Sequence, residues 1–219
     1  MDFEVIHSYI PLYTQAFLLT IKIGWIGIVI AVVIGIATAF LQHFKVPVLA
    51  QIASVYVEIF RNTPLLVQLF FIYFGLPKVG IMIPAETCGA AGLGLLGGSY
   101  MAEGFRSGLD AVSKSQTESA LALGMTKVQL FRYVIFPEAF SLSVPAVVAN
   151  VIFLLKETSV FSAISLMDLM FTAKDLIGLY YNTTEALFLL VIFYIIMLLP
   201  VSGLGSLIEK KTHLRTAGV

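Results

Sequence analysis

The stretch Ile23–Gln42, IGWIGIVIAVVIGIATAFLQ, holds no charged residue. Wound as an α-helix, these twenty residues span about 30 Å, the thickness of the hydrocarbon core of a bilayer. A helix apolar on every side belongs in a membrane or deep inside a large protein, and a chain of 219 residues offers no such interior. The whole composition agrees. Hydrophobic residues make up 59% and charged residues 12%, against about 45–50% and about 25% in a soluble domain. The bilayer is therefore the expected solvent.

Working outward, five stretches reach spanning length. The first extends from about Leu12 to Gln42 and carries Lys22 early. The second runs from about Pro47 to Leu76 and is interrupted by Glu58 and Arg61. The third, from about Thr87 to Val112, is rich in Gly and Ala. The fourth, from about Leu142 to Met167, contains Lys156 and Glu157. The fifth runs from about Thr184 to Ile208, with Pro200 as an expected kink. The chain reads as an all-α membrane protein, a single transmembrane domain over residues 1–219. Asp2 and Glu4 stand where a cleavable signal would carry positive charge, so the first span is expected to be retained.

Five spans place the termini on opposite sides. Lys45, Arg106, Lys114, Lys127, Arg132, Lys210, Lys211 and Arg215 fall on one side, and only Lys78 and Lys174 on the other. The positive-inside rule puts the first group in the cytoplasm, with the N-terminus outside. Net charge is zero, which points to no particular partner. Cys88 is the one cysteine, so no intrachain disulfide forms, and it reads as a packing residue. Trp25 lies too deep for an interfacial belt and also reads as packing. Gly89, Gly92, Gly94, Gly97 and Gly98 in the third span fit close helix packing, or the lining of a narrow path.

Between the third and fourth spans, Ser113–Phe140 is too polar to span. Thr117 is placed to cap a short helix from Glu118, and Gly124 suits a left-handed stop. Thr126 and Gln129 form a capping-box pattern, and the second helix is expected to end or bend at Pro137. A helix–Gly–helix on the cytoplasmic face results. By pattern alone it could be an amphipathic surface loop.

These residues resemble a known family. Glu118-Ser119-Ala120, Gly124 six residues after the Glu, and Val134-Ile135-Phe136-Pro137 ending thirteen after the Gly are similar to the cytoplasmic "EAA" loop of binding-protein-dependent ABC importer permeases. Ser119 stands where the pattern has its first Ala. Glu58-Ile59-Phe60-Arg61-Asn62-Thr63-Pro64-Leu65-Leu66-Val67-Gln68 resembles a segment typical of polar amino acid (histidine, glutamine and arginine type) permeases. Leu155-Lys156-Glu157-Thr158-Ser159 resembles that subfamily's fourth core span. The three matches occur in the right order and reach across the chain.

The resemblance implies a type I ABC importer permease fold in the bacterial inner membrane. It implies two permease subunits, identical or homologous, enclosing the path, with two copies of an ATP-binding subunit beneath. An extracytoplasmic binding protein would deliver a polar amino acid. Glu118, Ser119, Ala120, Gly124, Met125 and Pro137 would belong to the loop that docks on the ATPase. ATP and Mg would be bound by that partner. No Walker A pattern occurs in this chain, so it is expected to carry no cofactor and to hydrolyse no ATP.

Embedded charges cost about 2.5–3.5 kcal/mol each on insertion scales, so they face protein, water or one another. Glu58 and Arg61, at i and i+3, can pair locally. Lys156 and Glu157 point to different faces and need other partners, Glu58 or Arg61 among them. An amino acid zwitterion needs a cation and an anion in a wet cavity. Arg61 suits the carboxylate, and Glu58 or Glu157 the ammonium. Thr63, Gln68, Thr158 and Ser159 offer neutral hydrogen bonds, and the break at Pro64 would free backbone groups. Lys22 is a weaker candidate for the path, able to snorkel outward. The same ions could equally form a structural network.

Two other classes share part of this pattern. An ATP-independent transporter or channel for amino acids would have embedded charges but no need of the helix–Gly–helix loop. An intramembrane enzyme would need a clustered metal or nucleophile site. His7, His43 and His213 are far apart, and no D-x-x-D pair of carboxylates occurs. A scaffold subunit whose homologous partner alone binds solute is a third possibility.

Overall fold

The computed structural model describes residues 1–216, with side chains to Thr212. Arg215 and His213 lie outside the described side chains. The α-helices among the described residues are α1 (Phe3–His43), α2 (Leu49–Arg61), α3 (Leu65–Phe70), α4 (Ala85–Asp110), α5 (Lys114–Ala122), α6 (Lys127–Leu130), α7 (Phe136–Glu157), α8 (Leu169–Tyr180) and α9 (Thr183–Thr216).

The α1 helix begins nine residues earlier than its apolar run, because Asp2 caps it through the amides of Glu4 and Val5. Its extra turns pack against α8 and the start of α9. There Tyr13 Oη donates to the Ala186 carbonyl at 2.6 Å, and Ile6, Tyr9 and Ala16 meet Leu169, Ala173 and Leu190 in a small second core. The main core lies farther along, where α1, α3, α4, α7 and the 3-10 turns at Thr158–Ile164 converge on Ile23, Leu69, Leu93, Leu154 and Phe161.

At the centre stands α4. Gly97 lies so close to α7 and α1 that a Cβ there would sit 2.6 Å from Leu154 Cδ1 and 2.7 Å from Ala31 Cβ. Gly94 is pressed equally against Ile30, and Gly92 against Leu69. The glycines are thus used for close packing within one chain. At 26 residues α4 is long enough to span, but glycine dilutes its apolar character. Among the described residues three helices are both long and apolar enough to cross a membrane: Phe3–His43, Lys127–Ile164 and Thr183–Thr212. Leu49–Arg61 and Leu65–Val79 together form a fourth candidate, bent by 103°.

Pair contacts fix helix directions. Lys22 meets Glu86, Gly27 meets Leu93 and His43 meets Asp110, so α1 and α4 run parallel. Gly97 against Leu154 and Gly104 against Ala146 make α7 antiparallel to α4.

Three local expectations are corrected. The loop helix α5 starts at Lys114 rather than Glu118, and Thr117 lies inside it with Oγ1 donating to the Ser113 carbonyl at 3.3 Å. Pro137 does not end its helix. A π-helical turn at Phe131–Ile135 precedes it, and α7 continues through. A second such turn, Phe71–Gly75, precedes Pro77 in the same spacing. A widened turn moves the carbonyl that the proline ring would otherwise strike, and absorbs the missing amide. Pro200 lies inside α9. The other local expectations appear as drawn: Gly124 is left-handed at φ +79, and Thr126 and Gln129 form the full capping box.

Candidate functional site

Three elements bring charge together at one end of the bundle. The α2 helix ends at Arg61 because Asn62, Thr63 and Pro64 stop it. The last turns of α4 carry Glu103, Arg106 and Asp110 on one face at helical spacing. The end of α1 supplies Gln42 and His43. A polar cleft of about 710 Å³ opens between them, lined by Ser54, Glu58, Arg61, Tyr100, Glu103 and Arg106 among others.

Along the cleft, charges alternate. His43 Nδ1 lies 3.2 Å from Asp110 Oδ1, and Arg106 Nη1 is 3.3 Å from Asp110 Oδ2. Arg106 Nη2 donates to both oxygens of Glu103, at 3.1 and 2.9 Å. Arg61 Nη1 is 3.4 Å from Glu103 Oε2, and its guanidinium carbon lies 5.3 Å from the Tyr100 ring centroid. These side chains are 29–52% exposed apart from His43 at 25%. Pairs so exposed are worth about 0–1 kcal/mol each. They orient the charges of the cleft more than they hold the fold together.

Glu58 lines the same cleft, yet Arg61 does not pair with it. The expected local pair is replaced by Arg61–Glu103, because α2 ends at Arg61 and its guanidinium reaches across to α4, where a carboxylate and an aromatic face both receive it. Among the described residues Glu58 makes no ion pair, which leaves an uncompensated acid at the wall.

Thr63 and Gln68 lie at the bend itself. Thr63 Oγ1 donates to the Ile59 carbonyl at 2.8 Å, and Asn62 Nδ2 to that of Glu58 at 2.7 Å. Gln68 Nε2 donates to the carbonyls of Phe60 and Thr63, at 3.0 and 2.9 Å. The backbone acceptors expected to be free at the break are therefore taken by side chains, and buried Gln68 Oε1 is left without a partner.

The other candidates are elsewhere. Lys156 is exposed toward α8 and α9, beside Met170 and Tyr194, and Glu157 is half-buried. Neither forms an ion pair with Glu58 or Arg61, since Arg61 is engaged with Glu103 at the other end of α4. Thr158 is buried and donates to the Leu155 carbonyl at 2.7 Å, and Ser159 accepts from Ser162 through its carbonyl at 3.2 Å. Lys22 pairs with Glu86 at 2.8 Å, bridging α1 to the first turn of α4. Glu118, Ser119 and Gly124 lie exposed on the α5–α6 loop, Met125 is partly covered and Ala120 is buried against the rest of the fold.

Sequence spacing alone missed Glu103, Arg106 and Asp110. Their i, i+3, i+7 pattern at the end of the third span was a readable signal for a charged face.

Residues 31–214 match the family described as "Binding-protein-dependent transport system inner membrane component". Among curated relatives, the chain is 33% identical over 213 residues to the probable amino-acid permease protein YxeN of Bacillus subtilis, covering 96% of this chain and 95% of that one. It is 31% identical to the arginine transport system permease protein ArtQ of the same organism, covering 96% and 97%. Among solved structures, a chain of an amino acid ABC transporter crystallised with histidines superposes with a TM-score of 0.90 at 36% identity, covering 96% and 99%. The MetNI methionine ABC transporter shares the fold, with a TM-score of 0.78 at 22% identity over 94% of this chain.

Proposed function

The chain belongs to the family of binding-protein-dependent transport system inner membrane components, and from that membership we propose that it carries a polar amino acid through the cleft at Arg61. It is the membrane permease subunit of an ABC importer. Its relatives named for amino acid and arginine transport support the solute class. A separate extracytoplasmic binding protein delivers the solute. Two ATP-binding subunits, with their ATP and Mg, drive the cycle from the cytoplasm, and a second permease subunit closes the other half of the path.

The observation that carries this reading is the charge pattern of the cleft. Glu58 is free to meet an ammonium. Besides the Tyr100 ring, Arg61 holds one long ionic contact, at 3.4 Å, to a carboxylate that Arg106 already satisfies. A solute carboxylate can therefore replace Glu103 on the Arg61 fork without leaving Glu103 unpaired. Thr63 and Gln68 serve the path indirectly, by keeping the bend that ends α2 at Arg61. Lys156, Glu157 and Ser159 lie nearer the outer side than Arg61, at a level an inward-moving solute passes first, with buried Thr158 packed behind them, and Lys22 guards the outer mouth with Glu86.

The basic residues place Lys45, Lys114, Lys127 and Arg132 in the cytoplasm and the α8 side outside, with five crossings in all. The α5–α6 loop, Glu118 to Pro137, then faces the ATPase. Arg61→Ala tests the solute path. Uptake into vesicles containing the assembled complex should fall by about 10- to 100-fold, the loss expected for one charged hydrogen-bonding partner, while the subunits still co-purify. Normal uptake by that variant removes Arg61 from the path.

A further inference from the structure

Taking the cleft as the solute path, as above, we propose that Glu103 is a resident stand-in for the solute carboxylate on Arg61. Through it the cleft takes amino acids with a cationic side chain ahead of neutral ones, and turns away acidic ones.

The contact between Arg61 and Glu103 is one that can be exchanged. Arg61 Nη1 reaches Glu103 Oε2 at 3.4 Å, and its guanidinium carbon keeps a second seat over the Tyr100 ring, 5.3 Å from the centroid. Glu103 has a seat of its own. Arg106 donates to it from Nη2 at 3.1 and 2.9 Å and from Nε at 3.3 Å. Neither side chain needs the other to stay where it is. Arg61 is 39% and Glu103 29% exposed, so water and solute reach the pair, and an ion pair so placed is weak. The clamp on Glu103 is braced from behind. Asp110 Oδ2 lies 3.3 Å from Arg106 Nη1, and Asp110 Oδ1 lies 3.2 Å from His43 Nδ1. The end of α1 and the last turns of α4 thus hold a carboxylate against the guanidinium that a solute carboxylate would take.

Carboxylates outnumber guanidiniums here. Glu58, Glu103 and Asp110 stand against Arg61 and Arg106, and the His43 ring adds a charge only when protonated. A solute carboxylate on the Arg61 fork leaves Glu103 with Arg106 alone, which Asp110 also uses. Glu58 meets the solute ammonium. One protein carboxylate is then left sharing a cation. A cationic solute side chain fills that place, a neutral one leaves it as it is, and an acidic one brings a further carboxylate to the same spot. A simple anion without an ammonium would displace Glu103 and bring no cation in exchange.

Glutamine and glutamate differ by an amide for a carboxylate, and lysine is of similar length, so the three report on charge with little change of shape. Equilibrium binding of labelled glutamine to the purified complex of permease and ATPase, without binding protein and at about pH 8, above the ordinary imidazole range, gives the test. Lysine should compete about tenfold better than unlabelled glutamine and glutamate about tenfold worse, each step being about 1.4 kcal/mol. Glu103→Gln should bring the three close to parity. Glu103→Asp, which keeps the charge, should preserve the order. A purely structural role for Glu103 would weaken all three alike and leave their order intact in Glu103→Gln. Equal competition in the unaltered complex, or an order that survives Glu103→Gln, overturns the proposal. Binding that is lost in Arg61→Ala but shows no charge order keeps the solute path and removes only the role of Glu103. Binding that Arg61→Ala leaves unchanged, or no binding of any of the three, removes the path and the proposal with it.

Discussion

Asp168 caps α8, accepting from the Phe171 and Met170 amides at 3.0 and 3.2 Å, and its side chain is sealed from solvent by α1 and α9. Burial pushes its carboxyl up from the ordinary 3.8 to about 7, against the pull of those amides and of Lys174. A group with a raised native value binds its proton more tightly when folded. Its stabilising share is complete below about 4 and is lost as pH rises to about 7. Asp168→Asn keeps an acceptor for the cap but cannot ionise. The thermal midpoint of the purified chain should therefore fall between pH 4 and pH 7, and fall less in Asp168→Asn. Parallel curves for the two proteins contradict the buried, proton-holding carboxyl. At this same scale, Arg61 was legible as a solute candidate from its place beside Pro64, but its partner was not. Glu58 is three residues away in sequence, and Glu103 is reached only because the helix stops and the guanidinium crosses to α4. Local spacing cannot report a contact made across a fold.

Among the elements, apolar runs located the three helices that are both long and apolar enough to cross a membrane, and the bent pair that makes a fourth candidate, because length and lipid-like composition are local properties. Their ends were less legible. Polar residues extend α1 back to Phe3 through a cap, and the second span breaks into two helices bent by 103°. Pro137 does not end its helix, since the π-helical turn before it absorbs what the ring removes. The α5–α6 connection was read more closely. Gly124 holds φ +79, and a Cβ there would meet nothing within 4 Å. A larger side chain is therefore resisted by the backbone, at about 1–2 kcal/mol, and not by crowding within the chain. Gly124→Val should lower both co-purification of the ATPase and uptake, with membrane insertion unchanged. Gly124→Asn, which tolerates the left-handed region, should recover most of both. Normal docking and uptake in the valine variant would remove this turn from the coupling surface.

Taken whole, the molecule is two-sided about the close pair α1 and α4. One side gathers alternating charges into an open cleft, and the other carries an apolar groove. The sequence carried the class of such a protein in its composition and the family in three short motifs. It could not carry the two-sidedness, which depends on glycines letting α1, α4 and α7 approach until their polar and apolar faces part company. In the function proposed above, the chain holds the path and a partner supplies the force through the α5–α6 loop. Uptake of labelled amino acid into proteoliposomes containing the purified permease complex measures that division of labour directly. Transport should require both the ATP-binding subunits and ATP, and stop when either is withheld. Undiminished uptake by the permease alone, without nucleotide, would contradict the account.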